Sequence, residues 1–578
     1  MIAISSKMVL ESSLKEFQAL NLQNEMLNLD RKDRSESFGT AKCVDVPQSE
    51  LNKNLLALFL DEEDKVSVHA VLAQLKRNGI RPFSDPRLVN MMNNLSIDPN
   101  GLTIPNEIGV KKFVSKDEFL NACASSNNIL NQSLGSNLVV PDFKEFVAEI
   151  KKLYLELSDF KGGANADYIP QLSRANPDMW GIAVCTIDGQ RFAIGDVDIP
   201  FCIQSCSKAL NYAINVSELG PDTVHKYLGK EPSGIGFNQI ALDKHGLPHN
   251  PMINPGAISC CSVIRPKDTL ADRFDHITEQ YKSIAGHEFI GFSNGTFLSE
   301  KSVADRNFAI AYFLHEHNVF PKETNLKETL DLYFQLCSVE ATCDSAAVIC
   351  ATLANGGECP TTREVCLSPD AVRNTLSLMF SCGMYDYSGE WAFEVGLPAK
   401  SGVAGSIFMV IPGLMGICVW SPPLDELGNS FRGVEFAKRL AQRFAFHQFD
   451  VIQCNQTKID PRRNKNSETR EIQILNLISA ANNRDMVLLH KYFEIGIDFN
   501  IVDYDNRTPL HLAVAANHLD VVKFLIEKAK VLVNPIDRMH STPMDEALII
   551  ADKDVIAYLR KKRAKTCEEV TKEVSVQY

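Results

Sequence analysis

The sequence has too little positive charge for a general nucleic-acid-binding protein. Its formal net charge is −13 at pH 7 and its isoelectric point is about 5.6, whereas binding to phosphate groups requires a positive field. We therefore expect a small polar metabolite or a protein surface as the partner, and no nucleic acid.

Cysteine pairs at metal-binding spacing are also missing. The 16 cysteines are scattered and form no C-x-x-C pair, and a chain of this length does not need a disulfide framework. These observations predict no zinc site and reduced thiols, as in the cytosol or the mitochondrial matrix.

No apolar stretch is long and continuous enough to suggest a membrane span, which needs about 20 residues. The longest uncharged run, Ser401 to Leu424, is interrupted by Pro412, Gly413 and Gly416. Its apolar segments GSIFMVI and MGICVW flank PGL, and this pattern predicts a hairpin of two buried strands.

The first 40 residues lack the composition of a leader sequence. They hold six acidic and five basic residues, whereas a mitochondrial transit peptide is rich in Arg and poor in acids, and a secretory signal has an apolar core. Residues 1–50 are polar, and we predict a disordered segment or a targeting segment without a clear signal.

What the sequence does contain divides it into several domains, because 578 residues exceed the size of one core. Residues 51–155 carry short helical patterns that resemble EF-hands, but DEEDK at Asp61–Lys65 lacks the ligands of a calcium loop. Residues 156–453 open with two apolar runs joined at Asp188-Gly189, a hairpin signal, and end with the strands after Ser401. This order predicts one α+β domain whose first and last strands share a sheet.

The C-terminal part predicts ankyrin repeats. A polar linker, 454–470, precedes the T-P-L-H-x-A signature at Thr508–Ala513, and a second copy starts 34 residues later at Thr542. We predict about three repeats over 471–565, with an unknown protein partner. Residues 566–578 are predicted to be a tail.

A possible catalytic pair lies in QSCSK. Ser205 and Lys208 are three residues apart, so a helix places both on one face, whereas Cys206 points into the core. A serine hydroxyl needs a base to become a nucleophile, and a lysine acts as that base when burial keeps it neutral. The motif alone is weak, since a helix cap and a surface charge have the same spacing.

AKSGVAG, far along the chain, strengthens the case. Serine β-lactamases and penicillin-binding proteins combine S-x-x-K on a helix with K-T-G on an edge strand, and Lys400, Ser401 and Gly402 fit the second motif. Backbone N–H groups of Ser205 and Val403 would then form an oxyanion hole. The two motifs together predict a hydrolase that forms an acyl-enzyme.

A family resemblance extends over about residues 51–570. PFCIQSCSKALNYAI, PHNPMINPGAI, FQLCSVEATCDSAAVICATLANGG and GMYDYSGEWAFEVGLPAKSGVAG closely resemble the phosphate-activated, kidney-type animal glutaminases. The resemblance implies a multidomain protein: a helical N-terminal domain, an α+β catalytic domain like that of serine β-lactamases and penicillin-binding proteins, and all-α ankyrin repeats. It also implies hydrolysis of L-glutamine to L-glutamate and ammonia, with no cofactor and with inorganic phosphate as an activator.

The resemblance further implies a homotetramer built as a dimer of dimers, with higher assemblies as an extension of it. It implies a location in the mitochondrial matrix, with the cytosol as the alternative because the N-terminus is not a clear transit peptide.

Site roles carried over from the family fall into two groups. Ser205 is the nucleophile, Lys208 its base and Tyr385 a proton relay near the leaving amide. The substrate pocket is implied to consist of Glu300 for the α-ammonium, Asn254 and Asn307 for the α-carboxylate, and Tyr168, Gln204, Tyr333 and the Val403 backbone. Without the resemblance, Asn254 would be taken for a turn residue, Glu300 for a solvated charge and Tyr333 for core packing.

Two departures from the family pattern concern the pocket and the assembly. Pro255 follows Asn254 where the family usually has alanine, and a proline restrains the residue before it, so we expect a different substrate affinity. Ala241 replaces a bulky aromatic residue in the loop 233–246, which aligns with the family's activation loop. This difference leaves open how dimers contact each other at the loop and whether an inhibitor binds to it.

Two other functions remain as alternatives. The first is a different acyl-transfer enzyme, such as a peptidase or a β-lactamase, in which Glu300, Asn254 and Asn307 would have no role. The second is a non-catalytic ankyrin adaptor, and the complete set of Ser205, Lys208 and Tyr385 argues against it.

Overall fold

The structure of the chain is a computed structural model. It describes residues 56, 59–60, 65–97, 112–135, 137–234, 239–450, 458–462, 475–494, 497–550 and 552–575. Predictions for residues 1–50, for 61–64 and 235–238 and for most of the linker 454–470 lie outside these ranges. The chain divides into two compact units, Met1–Arg462 and Arg463–Tyr578.

The first unit begins with a helical domain that contains a small antiparallel ribbon. Its strands and helices, in chain order, are β1 (Lys65–Ser67), α1 (Val68–Arg77), α2 (Val89–Asn94), β2 (Phe113–Ser115), α3 (Lys116–Ala122) and α4 (Asn127–Leu134). Each strand runs directly into a helix, and Ser67 and Ser115 cap the two helices by accepting from Ala70 N and Glu118 N. Leu72, Met91 and Phe119 are among the residues of its separate core.

The larger domain of this unit is built on a five-stranded antiparallel sheet of order β4-β3-β10-β9-β8. The strands are β3 (Gly181–Thr186), β4 (Arg191–Gly195), β8 (Ala399–Gly402), β9 (Ser406–Ile411) and β10 (Met415–Trp420). Ile182 pairs with Val419, so the predicted pairing of the first and last strands is confirmed. The hairpins predicted at Asp188-Gly189 and across PGL are confirmed as well.

Both faces of the three central strands, β3, β9 and β10, are buried, which explains why these strands are almost entirely apolar. Two hydrophobic clusters cover the two faces. A smaller sheet of order β5-β7-β6 contains β5 (Phe201–Cys202), β6 (Ile290–Phe292) and β7 (Val339–Ala341).

The helices of the α+β domain pack around these sheets. They are α5 (Phe143–Glu156), α6 (Pro170–Ser173), α7 (Ser207–Leu219), α8 (Pro221–Val224), α9 (Asn254–Ser262), α10 (Leu270–Ile284), α11 (Asn294–Ser302), α12 (Asp305–Glu316), α13 (Leu326–Cys337), α14 (Cys343–Ala354), α15 (Pro369–Cys382), α16 (Ser388–Glu394) and α17 (Phe431–Arg443). Helix α14 lies so close to β10 that a Cβ on Gly416 would come within 2.2 Å of the Ala351 nitrogen. The glycine that interrupts the apolar run therefore permits helix-to-sheet contact.

The helical N-terminal domain holds the tip of the β3–β4 hairpin. Gln190 is fully buried there, and its side-chain amide donates to the carbonyl oxygens of Asn78 and Val140 at 3.0 Å each. Arg87 donates to the Asp188 carbonyl oxygen at 2.8 Å. The two domains of the first unit are thus joined through hydrogen bonds to a turn of the sheet.

The second unit consists of stacked helix pairs. Residues 475–483 are helical, followed by α18 (Met486–Glu494), α19 (Pro509–Ala515), α20 (Leu519–Glu527), α21 (Pro543–Ile550), α22 (Lys553–Lys561) and α23 (Cys567–Ser575). Thr508 and His511 form a capping box at the start of α19, and His511 Nε2 lies 3.2 Å from the Ser541 carbonyl oxygen of the next repeat. The last helix occupies much of the segment predicted as a tail.

Within the described residues, no helix has the length and apolar character that a membrane crossing needs.

Candidate active site

Ser205 and Lys208 lie in direct contact at the junction of β5 and α7. Ser205 belongs to a 3₁₀ turn, Gln204–Cys206, which we call the serine turn and which runs straight into α7. Lys208 Nζ lies 2.7 Å from Ser205 Oγ. The predicted juxtaposition of hydroxyl and amine is present, although a 3₁₀ turn and not a continuous α-helix produces it.

Lys208 is held in a nearly dry environment. It is 2% exposed, and burial lowers the pKa of its amine, while the nearby thiol of Cys337 and the carboxyl of Glu300 act in the opposite direction. Its Nζ also donates to Asn254 Oδ1 at 2.8 Å. Burial therefore shifts Lys208 toward the neutral form that a general base requires.

Asn254 continues this chain of polar contacts. Its side-chain amide donates to Asn307 Oδ1 at 3.2 Å, so both predicted carboxylate-binding residues are brought together. Pro255 stands in the first turn of α9, where its missing N–H breaks no helical hydrogen bond, and Asn254 still contacts Lys208.

A buried carboxyl group marks another side of the site. Glu300 is 9% exposed, and its Oε1 accepts from the Tyr168 hydroxyl at 2.7 Å and from Gln204 Nε2 at 3.0 Å. Burial raises the pKa of Glu300, and these two hydrogen bonds together with the nearby Lys208 oppose the rise. The carboxyl group is therefore prepared for a cation that supplies the missing charge.

Tyr385 approaches Ser205 from a second 3₁₀ turn, Tyr385–Tyr387, which we call the tyrosine turn. Burial raises the pKa of Tyr385, and a hydrogen bond with Ser205 opposes that rise. A cavity of about 440 Å³ opens beside Tyr385 and is lined by Asn250, Ile253 and Ser381, among others.

Each of these two turns contains one residue with a strained backbone. Gln204 and Tyr385 have φ values of +48° and +53°, in the left-handed region that residues other than glycine rarely occupy. Such a conformation costs about 1–3 kcal/mol, and strained backbone is a recurrent feature of functional sites.

Strand β8 brings a second buried lysine to the site. Lys400 Nζ lies 4.4 Å from the centre of the Tyr385 ring and donates to the Ser401 carbonyl oxygen at 2.7 Å. Burial, with a smaller effect of the neighbouring Lys208 charge, lowers the pKa of Lys400 to about 7. The sequence motif had indicated Lys400 without assigning a function to its amine. The structure places that amine over the ring of Tyr385.

The end of β8 packs against the serine turn. A Cβ on Gly402 would lie 2.8 Å from the Ile203 carbonyl oxygen, and Cys206 Sγ donates to the Lys400 carbonyl oxygen at 3.2 Å. Val403 follows directly on Gly402. Tyr333 contributes its ring, whose centre is 5.9 Å from Lys208 Nζ. The structure thus gathers the side chains proposed for the site around Ser205 and Glu300, and Val403 follows the glycine that packs against the serine turn.

Comparison with known proteins gives three family matches. Residues 163–449 match a model described as Glutaminase, residues 477–569 a model of ankyrin repeats in three copies, and residues 51–141 a model of an EF-hand domain. These matches agree with the predicted fold class of a helical, an α+β and an ankyrin part.

Similar curated proteins cover most of the chain. The mitochondrial liver isoform of glutaminase from Rattus norvegicus is 46% identical over 508 residues, which is 88% of this chain and 83% of that protein. Putative glutaminase 2 of Caenorhabditis elegans is 46% identical over 508 residues, with coverages of 87% and 83%. The glutaminase of Trichormus variabilis is 41% identical over 311 residues, with coverages of 54% and 92%.

Solved structures match the α+β domain. The probable glutaminase ybaS covers 53% of this chain and 98% of its own, with 35% identity and a TM-score of 0.51. Mglu in its native form covers 53% of this chain and 74% of its own, with 36% identity and a TM-score of 0.50.

Proposed function

Because this chain belongs to the glutaminase family, we propose that it hydrolyses L-glutamine to L-glutamate and ammonia through a γ-glutamyl ester of Ser205. The observation that carries the proposal is the 2.7 Å contact between Ser205 Oγ and the buried Lys208 Nζ. A serine and a dry lysine at this distance are the parts needed for nucleophilic acyl transfer.

The first half of the reaction forms the ester. Neutral Lys208 takes the proton of Ser205 Oγ while the oxygen attacks the side-chain amide carbon of glutamine. Negative charge develops on the amide oxygen, and the backbone N–H groups of Ser205 and Val403 stabilise it. The C–N bond then breaks as the nitrogen receives a proton passed from Lys208 through Tyr385, and ammonia leaves.

The second half returns the enzyme to its starting state. Water attacks the ester carbon and gives a proton to Lys208, and Ser205 Oγ takes that proton back as glutamate leaves. The mechanism takes Lys208 as neutral at the start of each half, a form that burial favours by lowering the pKa of its amine.

The charged ends of the substrate explain the polar residues around the dyad. Glu300, already bonded to Tyr168 and Gln204, receives the α-ammonium, and the linked amides of Asn254 and Asn307 receive the α-carboxylate. A peptide-linked glutamine cannot present both charges, so we propose selectivity for the free amino acid.

Regulation, assembly and location are proposed from family resemblance. We propose a kidney-type enzyme, a homotetramer built as a dimer of dimers, inorganic phosphate as activator, and a protein partner for the ankyrin repeats. The rat relative is named a mitochondrial protein, and we propose the mitochondrial matrix for this chain, with the cytosol as the alternative.

One assay tests the proposed reaction. Ammonia release from glutamine is measured for the wild type and for Ser205→Ala and Lys208→Ala, with rapid quenching of labelled substrate to detect the ester. We expect turnover in the wild type alone, with label on Ser205. A wild type that binds glutamine but releases no ammonia would support the adaptor function, and equal release by the variants would refute the mechanism.

A further inference from the structure

The strained backbone of Tyr385 is held by one neighbouring side chain. Ser388 Oγ donates to the Tyr385 carbonyl oxygen at 2.7 Å and accepts from the Met384 N–H at 3.0 Å. The Ser388 N–H donates to the same Tyr385 carbonyl oxygen. One hydroxyl group therefore links the peptide group that precedes Met384 to the peptide group that follows Tyr385.

The segment before Tyr385 is anchored to the sheet independently of Ser388. The Gly383 carbonyl oxygen accepts from the Ser401 N–H at 3.2 Å, and the Met384 carbonyl oxygen accepts from Asn429 Nδ2 at 3.4 Å. A Cβ on Gly383 would lie 1.7 Å from the Ala399 carbonyl oxygen, so this part of the chain packs directly against β8. The left-handed bend at Tyr385 follows immediately, and Ser388 spans it.

We propose that Ser388 is a positioning residue that holds Tyr385 in its left-handed conformation, so that the phenol stays at Ser205. This inference rests on the proposed function, since it assigns Ser388 to the proton relay of that reaction. Loss of the hydroxyl leaves the Met384 N–H without this acceptor and allows the turn to relax. The Tyr385 ring then moves relative to Ser205, where a shift of about 1 Å costs as much as a hundredfold in rate.

The serine turn provides an internal comparison. Gln204 is also left-handed, and Ser207 Oγ donates to its carbonyl oxygen at 2.7 Å, three residues back. Gln204 bonds to Glu300 and not to the reacting atoms. Because Ser205 lies inside this turn, Ser207→Ala is expected to raise KM through Glu300 and also to lower kcat through Ser205, whereas Ser388→Ala acts through kcat with little change in KM.

Ser262 is the matched control. Its hydroxyl makes a buried hydrogen bond of the same kind, to the Ser259 carbonyl oxygen three residues back at 2.7 Å. It lies at the end of α9 and belongs to neither 3₁₀ turn. Ser262→Ala removes an equivalent hydrogen bond without touching Tyr385 or Gln204.

The experiment measures kcat and KM for glutamine in the full-length wild type and in Ser388→Ala, Ser388→Thr, Ser207→Ala and Ser262→Ala. Active sites are counted by quenching labelled substrate on Ser205, and melting temperatures are recorded. For Ser388→Ala we expect kcat per active site to fall by about tenfold or more, with KM changed by less than about threefold. Ser388→Thr keeps the hydroxyl and is expected to recover most of kcat, and Ser262→Ala to match the wild type.

Two results would overturn the inference while leaving the proposed function intact. One is a kcat for Ser388→Ala equal to that of Ser262→Ala. The other is a fall in kcat of about tenfold or more in Ser388→Thr, which keeps the hydroxyl. This second result can be measured even if the alanine variant fails to fold. Absence of ammonia release by the wild type would instead refute the proposed function.

Discussion

Polar groups are buried in different ways in the α+β domain and in the ankyrin unit. In the ankyrin unit they serve local structure: Thr508 and His511 are buried and cap the same helix, three residues apart. In the α+β domain, Lys208 contacts Asn254 from 46 residues away, and Gln204 contacts Glu300 from 96 residues away. The local contacts stabilise a single helix, whereas the distant contacts around Ser205 bring together polar side chains from separate elements.

The largest effect on kinetics is expected from a substitution that removes a contact between distant residues of the α+β domain. Glu300→Gln removes the charge proposed to bind the α-ammonium, and losing one partner of a buried charge pair costs about 2–5 kcal/mol. We expect KM for glutamine to rise by about thirtyfold or more, with the melting temperature kept, since burial already disfavours the charged carboxyl. An unchanged KM in steady-state kinetics would exclude this role.

A smaller effect on turnover is expected at the second buried lysine. Lys400→Met keeps the length of the side chain but removes the amine that lies over Tyr385. We expect kcat to fall by about tenfold to a hundredfold, with KM for glutamine little changed because Lys400 has no part in the proposed binding of either charged end. A variant with wild-type kcat would show that Lys400 serves only to pack β8.

The two units should also respond to pH in different ranges. Since the pKa of Lys400 is lowered from 10.5 to about 7, the unfolded state binds more protons between these values, and stability falls as pH decreases from 10.5 to about 7, by at most about 1.4 kcal/mol per pH unit. Burial lowers the pKa of His511 from 6.5, so the ankyrin unit loses stability as pH falls below 6.5. Urea unfolding at several pH values checks both.

Lys400→Met separates the two contributions. This variant should lose the part of the alkaline dependence that Lys400 contributes, retain the part that Lys208 contributes, and keep the dependence below pH 6.5. A slope above pH 7 that is unchanged in Lys400→Met contradicts the assignment to Lys400.

The smallest effect on stability is expected from the loss of a helix cap, and the two units offer equivalent caps for comparison. Thr508 caps α19 in the ankyrin unit, and Thr342 caps α14 in the α+β domain, each in a capping box. Either threonine changed to alanine should cost about 0.5–2 kcal/mol of stability. Differential scanning calorimetry should show Thr508→Ala lowering one transition and Thr342→Ala another, with kcat unchanged in the first; a shared shift would mean that the units unfold together.

The sequence was sufficient to predict features that depend on a few neighbouring residues. The hairpin at Asp188-Gly189 and the spacing of Ser205 and Lys208 both correspond to the structure. The left-handed conformations of Gln204 and Tyr385 were not predicted, because neither residue type favours that region. The stacking of Lys400 on Tyr385 likewise depends on how β8 meets the tyrosine turn.

The fully buried Gln190 at the tip of the β3–β4 hairpin limits how this chain can be shortened. Its amide has its partners in the helical N-terminal domain, at Asn78 and Val140. A truncated chain that starts at the α+β domain would leave that tip facing solvent, with a groove where Arg87 and its neighbours had been. The N-terminal helical domain therefore covers this end of the sheet and keeps the tip of the hairpin buried.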